Sequence, residues 1–289
     1  MAYRISGGEV MIDIDLIRRA LAEDLAGGTD ITSVATVSGN ENVVADFTAR
    51  KSGVIAGIDM AMATLREVGL TDISQHLKDG DRVEAGAVLL TVRGDTRAIL
   101  LAERTALNFL GHLGGIATLT NRWVQEVAGT KTLIRDTRKT TPGMRLLEKA
   151  AVVAGGGSNH RLSLSDAALI KDNHIAAAGG VVRAFSKVRS AFPDAFIEIE
   201  VDSISQLEEV AAQSPDLVLL DNMSPEECAR AVAFVAGRFK LEASGGITLE
   251  NAHAYAESGV DYLAIGALTH SAPVLDIGLD LRLETRTEK

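Results

Sequence analysis

The stretch FIEIEVDSISQLEEVAAQSPDLVLLD, residues 196–221, reads as strand, helix, strand. FIEIEV and LVLLD are short apolar runs bounded by polar residues, and an apolar-periodic segment separates them. The same kind of run recurs at intervals of roughly twenty to thirty-five residues as TLIRD (132–136), AALIKD (167–172), KLEAS (240–244) and YLAIG (262–266), with helical segments between. Strands alternating with helices make parallel βα units, and six such units suit a closed or nearly closed barrel. An open doubly wound sheet is the alternative. The expected class is therefore α/β, an incomplete βα barrel of about six to seven parallel strands over residues 114–272.

Functional groups of βα barrels gather at the C-terminal ends of the strands. Those ends supply Arg138 and Lys139, Lys171, Glu200, Asp221, Glu242 with Ser244, and Gly266. Strand parity puts Glu198 and Glu200 on one face, and barrel strands have no solvent side, so a carboxylate there requires a counter-charge, a metal or a ligand. From Arg135 to His174 cations cluster just after apolar runs in an otherwise acidic chain, which marks a local anion site. His160 beside Arg161 is expected to donate to a carboxylate, with the adjacent positive charge favouring its neutral form. SGGIT (244–248) and IGALTHSAP (265–273) follow the last two strands, where backbone N–H groups of barrels hold phosphate. Gly155, Gly156 and Gly157 lack a P-loop ending and read as a hinge.

The front of the chain mixes elements without a βα repeat. A helix is expected from Ile12 to Leu25, a half-exposed strand from Val43 to Lys51, a helix from Ile58 to Val68, and strands from Lys78 to Asp95 with turns at Asp79-Gly80 and Gly94-Asp95. Thr96 to Val127 is helical, with Gly111, Gly114 and Gly115 weakening its middle and marking a domain boundary. An α+β amino-terminal domain, 1–113, joined by the tail 273–289, results. DGDRVEAGAVLLTV suggests a carrier domain but lacks the carrier's lysine at a hairpin tip.

With 289 residues, 46% hydrophobic and 24% charged, a well-filled core is available. A net charge of −10 and pI near 5.1 argue against a nucleic-acid or membrane surface. The start has no apolar signal core and no run approaches a membrane span, so a cytoplasmic location is expected. Cys228, the single cysteine, excludes an internal disulfide and reads as a small apolar residue of a helix.

Cations on one side, two carboxylates beside them and a phosphate cradle suit a ligand with several anionic groups together with Mg²⁺. DTRKTTPGMR, GGGSNHRLSLSDAALIKDNH, EIEV, LLDNM and LEASGGIT, with DITS (30–33) and LAERTALNFL (101–110) in the front half, resemble quinolinate phosphoribosyltransferase over nearly the whole chain. The resemblance implies transfer of phosphoribosyl from 5-phosphoribosyl 1-pyrophosphate (PRPP) to quinolinate with decarboxylation, giving nicotinate mononucleotide, pyrophosphate and carbon dioxide. It also implies a homodimer with a shared site. Arg138, His160, Arg161 and Lys171, with Arg104 from a neighbouring subunit, would surround the dicarboxylate and the pyrophosphate; Lys139 would lie against the phosphates. Glu200 and Asp221 would hold Mg²⁺ and the ribose hydroxyls, and Ser244, Gly245, Gly246, Gly266 and Ala267 the 5-phosphate, with Thr137 and Ile265 also among the substrate-binding residues. Lys139, Lys171, Glu200 and Asp221 would carry the chemistry. A paralogue of the molybdenum-uptake type and a non-catalytic metabolite sensor are the alternatives.

Overall fold

The computed structural model describes residues 12–39 and 41–282. Residues 1–11 and 283–289, which carry the leader expectation and the end of the tail, lie outside them. In chain order the elements are α1 (Ile14–Leu25), α2 (Ile31–Thr36), β1 (Asn42–Ala49), β2 (Gly53–Val54), α3 (Ile58–Glu67), β3 (Asp72–Gln75), β4 (Arg82–Val83), β5 (Val88–Asp95) and α4 (Thr96–Glu126). Then follow β6 (Leu133–Arg135), α5 (Arg145–Ala154), β7 (Ala168–Ile170), α6 (Asp172–Ala178), α7 (Val181–Ala191), β8 (Ile197–Val201), α8 (Ile204–Ala211) and β9 (Leu217–Asp221). The chain continues with α9 (Pro225–Val235), β10 (Lys240–Ser244), α10 (Leu249–Glu257), β11 (Tyr262–Ala264), α11 (Ala267–His270) and β12 (Ile277–Arg282). Contacts divide it into two units: 1–119 with 146–156 and 272–289, and 120–145 with 157–271.

The first unit is built on an antiparallel sheet in the order β12-β1-β5-β3. The sequence suggests a half-exposed β1, yet seven of its eight residues are buried. The reason is its central place: β5 covers one edge and β12, from the far end of the chain, the other. Its polar Asp46 is satisfied by the Thr91 hydroxyl at 2.7 Å and by Arg282 at 2.6 Å. The Asp79-Gly80 turn is present, and its Asp79 carboxylate accepts the Gly57 and Ile58 N–H groups, capping α3 from outside the helix. The expected turn at Gly94-Asp95 is absent, because β5 runs through both residues directly into α4, whose Ala98 N–H is capped by Asp95 at 2.9 Å.

Nor do the glycines of α4 interrupt it; the helix is continuous over 31 residues. A Cβ at Gly111 would meet the Leu275 carbonyl at 3.2 Å, one at Gly114 the Leu275 side chain at 3.1 Å, and one at Gly115 would run into the Pro273 carbonyl. These glycines form a groove for the returning segment before β12. Gly115→Ala should therefore destabilise the protein despite a gain in helix propensity of about 1 kcal/mol. Overpacking against a backbone carbonyl costs about 1–3 kcal/mol and has no flexible side chain to relax into. A melting temperature equal to or above wild type would refute this account of the groove.

The second unit holds six parallel strands in the order β6-β11-β10-β9-β8-β7, with helices following the strands. Ile197, Ile199, Val218, Leu220, Leu241 and Leu263 are buried on strands, and Leu207, Val210, Cys228, Ala231 and Ala252 on α8, α9 and α10. Ser224 and Glu227 form a reciprocal capping box with Pro225 in the first turn, so α9 starts sharply after β9. Cys228 sits in this core, fully buried, its thiol pushed up to about 12 by burial and then by Glu227 and Glu226.

The sheet curls. Ser158 bridges Arg135 on the free edge of β6, so residues 158–160 stand five strand positions from β8, a span of about 24 Å in a flat sheet. Yet the His160 imidazole lies 2.8 Å from Glu198 of β8. Since β6 and β7 are not paired with each other, the result is an incomplete barrel, as the six runs suggest.

Candidate active site

A cavity of about 630 Å³ opens at the C-terminal ends of the parallel strands. Every candidate residue named from the sequence except Arg104 lines it. Thr137, Arg138 and Lys139 come from the loop after β6, Lys171 from the end of β7, Glu200 from β8, Asp221 from β9, Ser244 to Gly246 from β10 and its loop, and Ile265 to Ala267 from the turn after β11. Arg104 is on α4 in the first unit, exposed, and its side chain makes no hydrogen bond or salt bridge among the described residues.

One wall is cationic. The Nε atoms of Arg138 and Arg161 are buried without hydrogen-bond partners. Arg161 is anchored by its Nη1, which donates to the Ala167 carbonyl at 2.9 Å, and its pKa is lowered by burial and by the neighbouring Arg138. Two desolvated guanidiniums side by side repel each other and leave donors unused, so an anionic ligand stabilises this wall.

A second part of the lining, here the carboxylate wall, holds Glu200 and Asp221. The Lys171 ammonium donates to Glu200 at 2.6 Å, and the Asn222 amide donates to Asp221 at 2.7 Å. Burial, and then the negative charge of Glu200, raises the Asp221 pKa. A pair of nearby carboxylate oxygen donors fits a hard divalent cation such as Mg²⁺. Two carboxylates are too few to enclose one, leaving positions for water or substrate oxygens.

The third side is backbone. Gly245 and Gly246 are successive residues of positive φ, 88° and 64°, a backbone that glycine adopts without strain. A Cβ at Gly245 would run into the Asn222 side chain, and Asn222 itself holds φ 56° while its N–H donates to the Ser244 carbonyl at 2.8 Å. The loop after β9 and the loop after β10 are thus locked together. Lys139 passes close to Gly266, and its carbonyl accepts the Thr269 hydroxyl at 2.8 Å.

Beneath the cavity a charged network is buried. Arg135, stacked 4.5 Å over the Tyr262 ring, donates to Glu242 at 2.7 Å and to the Asn159 carbonyl at 3.3 Å. His160 Nε2 lies 2.8 Å from Glu198 and 3.4 Å from Glu242. Burial raises the Glu198 pKa; Glu242 is held below its ordinary value because His160 and Arg135 outweigh its own burial. Burial alone would lower the His160 pKa, but hydrogen bonding to the two carboxylates reverses this and pulls it up to about 9. A second ring proton nevertheless meets an obstacle, since Nδ1 lies 2.7 Å from the Arg161 backbone N–H, which can only donate. At a pKa of about 9 the ring would carry both protons at neutral pH, whereas this contact offers no acceptor for a proton on Nδ1 and so favours the neutral Nε2–H form. His160 lies within donating distance of a carboxylate, as the sequence suggests, and the Arg161 amide, rather than its side-chain charge, is what opposes the second proton.

Several lining residues were not legible in advance. Leu169, Leu219, Ile247 and Ala264 supply apolar wall, and Asn222 and His270 polar groups. Leu169 and Leu219 share strand parity with the lumen carboxylates, being register partners of Glu198 and Glu200. That parity was the available signal. His270 lies in the IGALTHSAP segment, whose glycine drew the attention.

Residues 116–280 match the family model described as quinolinate phosphoribosyl transferase, C-terminal domain, and residues 30–114 match its N-terminal domain. The carboxylating nicotinate-nucleotide pyrophosphorylase of Mycobacterium leprae is 53% identical, covering 92% of this chain and 96% of that protein. A probable enzyme of the same name from Bacillus subtilis is 39% identical, covering 94% of each. Among solved structures, nicotinate-nucleotide pyrophosphorylase from Ehrlichia chaffeensis superimposes with a TM-score of 0.91 at 40% identity, over 95% of this chain and all of that one.

Proposed function

Because the chain belongs to the quinolinate phosphoribosyltransferase family, we propose that the residues of its strand-end cavity divide one reaction among three walls. The reaction is that of the family: phosphoribosyl passes from PRPP to quinolinate with decarboxylation, giving nicotinate mononucleotide, pyrophosphate and carbon dioxide, a step of de novo NAD biosynthesis. The observation that carries the division is the pair of buried, unpartnered Nε donors on Arg138 and Arg161, two residues that line the same cavity as Glu200 and Asp221.

Arg138 and Arg161 bind the two ring carboxylates, since a planar guanidinium matches a carboxylate with paired donors. Lys171 and Lys139 neutralise the diphosphate, and Thr137 lies beside them. Ser244, Gly245, Gly246, Ile265, Gly266 and Ala267 take the 5-phosphate on backbone donors. Glu200 and Asp221 would hold Mg²⁺ and the ribose hydroxyls, and an ion held there would supply positive charge beside the diphosphate. As diphosphate leaves, positive charge grows on the ribose, and fixed charges stabilise it without a protein nucleophile. The ribosylated ring nitrogen is cationic and stabilises the electron pair left on the adjacent carbon when the carbon–carbon bond breaks and carbon dioxide departs; that carbon then takes a proton from water. The cationic wall keeps the ring oriented through both events.

We place the enzyme in the cytoplasm as a homodimer in which Arg104 enters the partner's site. Its exposure, with no hydrogen bond or salt bridge to its side chain among the described residues, supports the shared site. No helix among the described residues is long and apolar enough to cross a membrane.

Purified enzyme with PRPP and Mg²⁺ should form nicotinate mononucleotide from quinolinate and release pyrophosphate, with little or no product from nicotinate. An acceptor lacking one carboxylate forfeits a charged hydrogen bond of about 1.5–3 kcal/mol, which predicts a loss of roughly ten- to a hundredfold, and more if the guanidiniums stay unpaired. Equal turnover of the two acids, or turnover unaffected by chelation, contradicts the division of the walls.

A further inference from the structure

Glu198 does not line the cavity, yet its side chain is only 3% exposed and it faces the lumen two residues before Glu200, about 7 Å deeper along β8. It accepts from His160 Nε2 at 2.8 Å, and its other oxygen has no partner. His160 is gripped elsewhere as well: Asp136 accepts its backbone N–H at 2.8 Å, and its Nδ1 accepts the Arg161 N–H at 2.7 Å. Both ring nitrogens therefore have partners within the protein.

One reading of this cluster is a metal cage, because ligand atoms of His160, Glu198 and Glu242 lie within 4.8 Å of one another. The chemistry of the ring opposes it. Neutral imidazole binding a metal through Nε2 carries its proton on Nδ1, which would then face the Arg161 N–H donor to donor at 2.7 Å. The competing reading needs no such clash.

We propose that Glu198 is a positioning residue for the carboxylate-binding end of the cavity. By accepting from Nε2 it sets the His160 tautomer; that leaves Nδ1 as the acceptor for the Arg161 amide, and the amide fixes the stem from which the Arg161 guanidinium reaches the substrate. The chain of hydrogen bonds Glu198, His160, Arg161 converts a buried carboxylate into the aim of an arginine. This rests on the reading above that Arg161 binds a ring carboxylate.

The test has a part that needs no variant. In enzyme labelled with ¹⁵N-histidine, with His160→Asn used to assign the resonance, the ring should show a protonated Nε2 and an unprotonated Nδ1. A proton on Nδ1, alone or with Nε2, overturns the proposal. Glu198→Ala should then weaken quinolinate binding by about ten- to a hundredfold while PRPP binding stays within about twofold, both read by titration calorimetry. Glu198→Gln should restore most of the quinolinate affinity, since its amide oxygen still accepts from Nε2. An unchanged Ala variant, an equal loss for both ligands, or a Gln variant as poor as Ala would each overturn it, the last by showing that charge rather than hydrogen bonding matters. Arg161→Ala separates the two layers. If it leaves quinolinate affinity intact, the reading of the cationic wall fails, while the state of the ring nitrogens still decides whether Glu198 sets the tautomer.

Discussion

Mixing Arg104→Ala enzyme with Lys171→Ala enzyme, after dissociation and reassembly, should restore about a quarter of wild-type activity from two proteins that are each nearly inactive. Lys171 sits at the end of β7 and pairs with Glu200 inside the cavity. Arg104 is on α4, exposed and without a salt bridge among the described residues. If it serves a partner's cavity, one site of each mixed dimer carries both lesions and the other carries neither. Random pairing makes about half the dimers mixed, and half the sites in those are intact, hence about a quarter. The single variants should each lose activity steeply, because removing a cation beside a diphosphate leaves charge uncompensated in a desolvated pocket. Activity no higher than the mean of the two variants, with subunit exchange verified by mass tagging, would show that Arg104 acts on its own chain's site or on none.

The second large effect belongs to Arg161. Its Nε is buried without a partner and its Nη1 is anchored to the Ala167 carbonyl, so the group is preorganised for an anion and carries little further ordering cost. A bidentate pairing contributes two charge-assisted hydrogen bonds of about 1.5–3 kcal/mol each, so Arg161→Ala should weaken quinolinate binding by about a hundredfold or more. PRPP binding should change little. Glu200→Ala and Asp221→Ala should show the reverse bias, weakening Mg²⁺-dependent use of PRPP more than quinolinate binding. Titrations in which Arg161→Ala spares quinolinate, or in which the carboxylate variants lose quinolinate instead, would invert the assignment of the walls.

Which residues meet in the cavity was largely legible from the chain, because strand runs have a length and period that helices lack, and because parallel βα units send every strand end to the same side. Arg138, Lys171, Glu200 and Asp221 could be placed together on that ground alone. What they bind needed the family motifs as well. Other features were not legible, for one recurring reason: their meaning lies in a partner far along the chain. A glycine in α4 reads the same whether it weakens a helix or admits a neighbour, and the neighbours of Gly111, Gly114 and Gly115 are Pro273 to Leu275. The pattern of β1 suggests one wet face, but β12, more than two hundred residues later, makes it a central strand. His160 beside Arg161 suggests repulsion between neighbours in sequence; only a sheet that curls until residue 160 meets β8 supplies the Glu198 acceptor and leaves Nδ1 for the Arg161 amide. Local period and strand polarity determine which end of the barrel is reactive. The protonation, aim and close packing of its groups depend on contacts that chain closure alone creates.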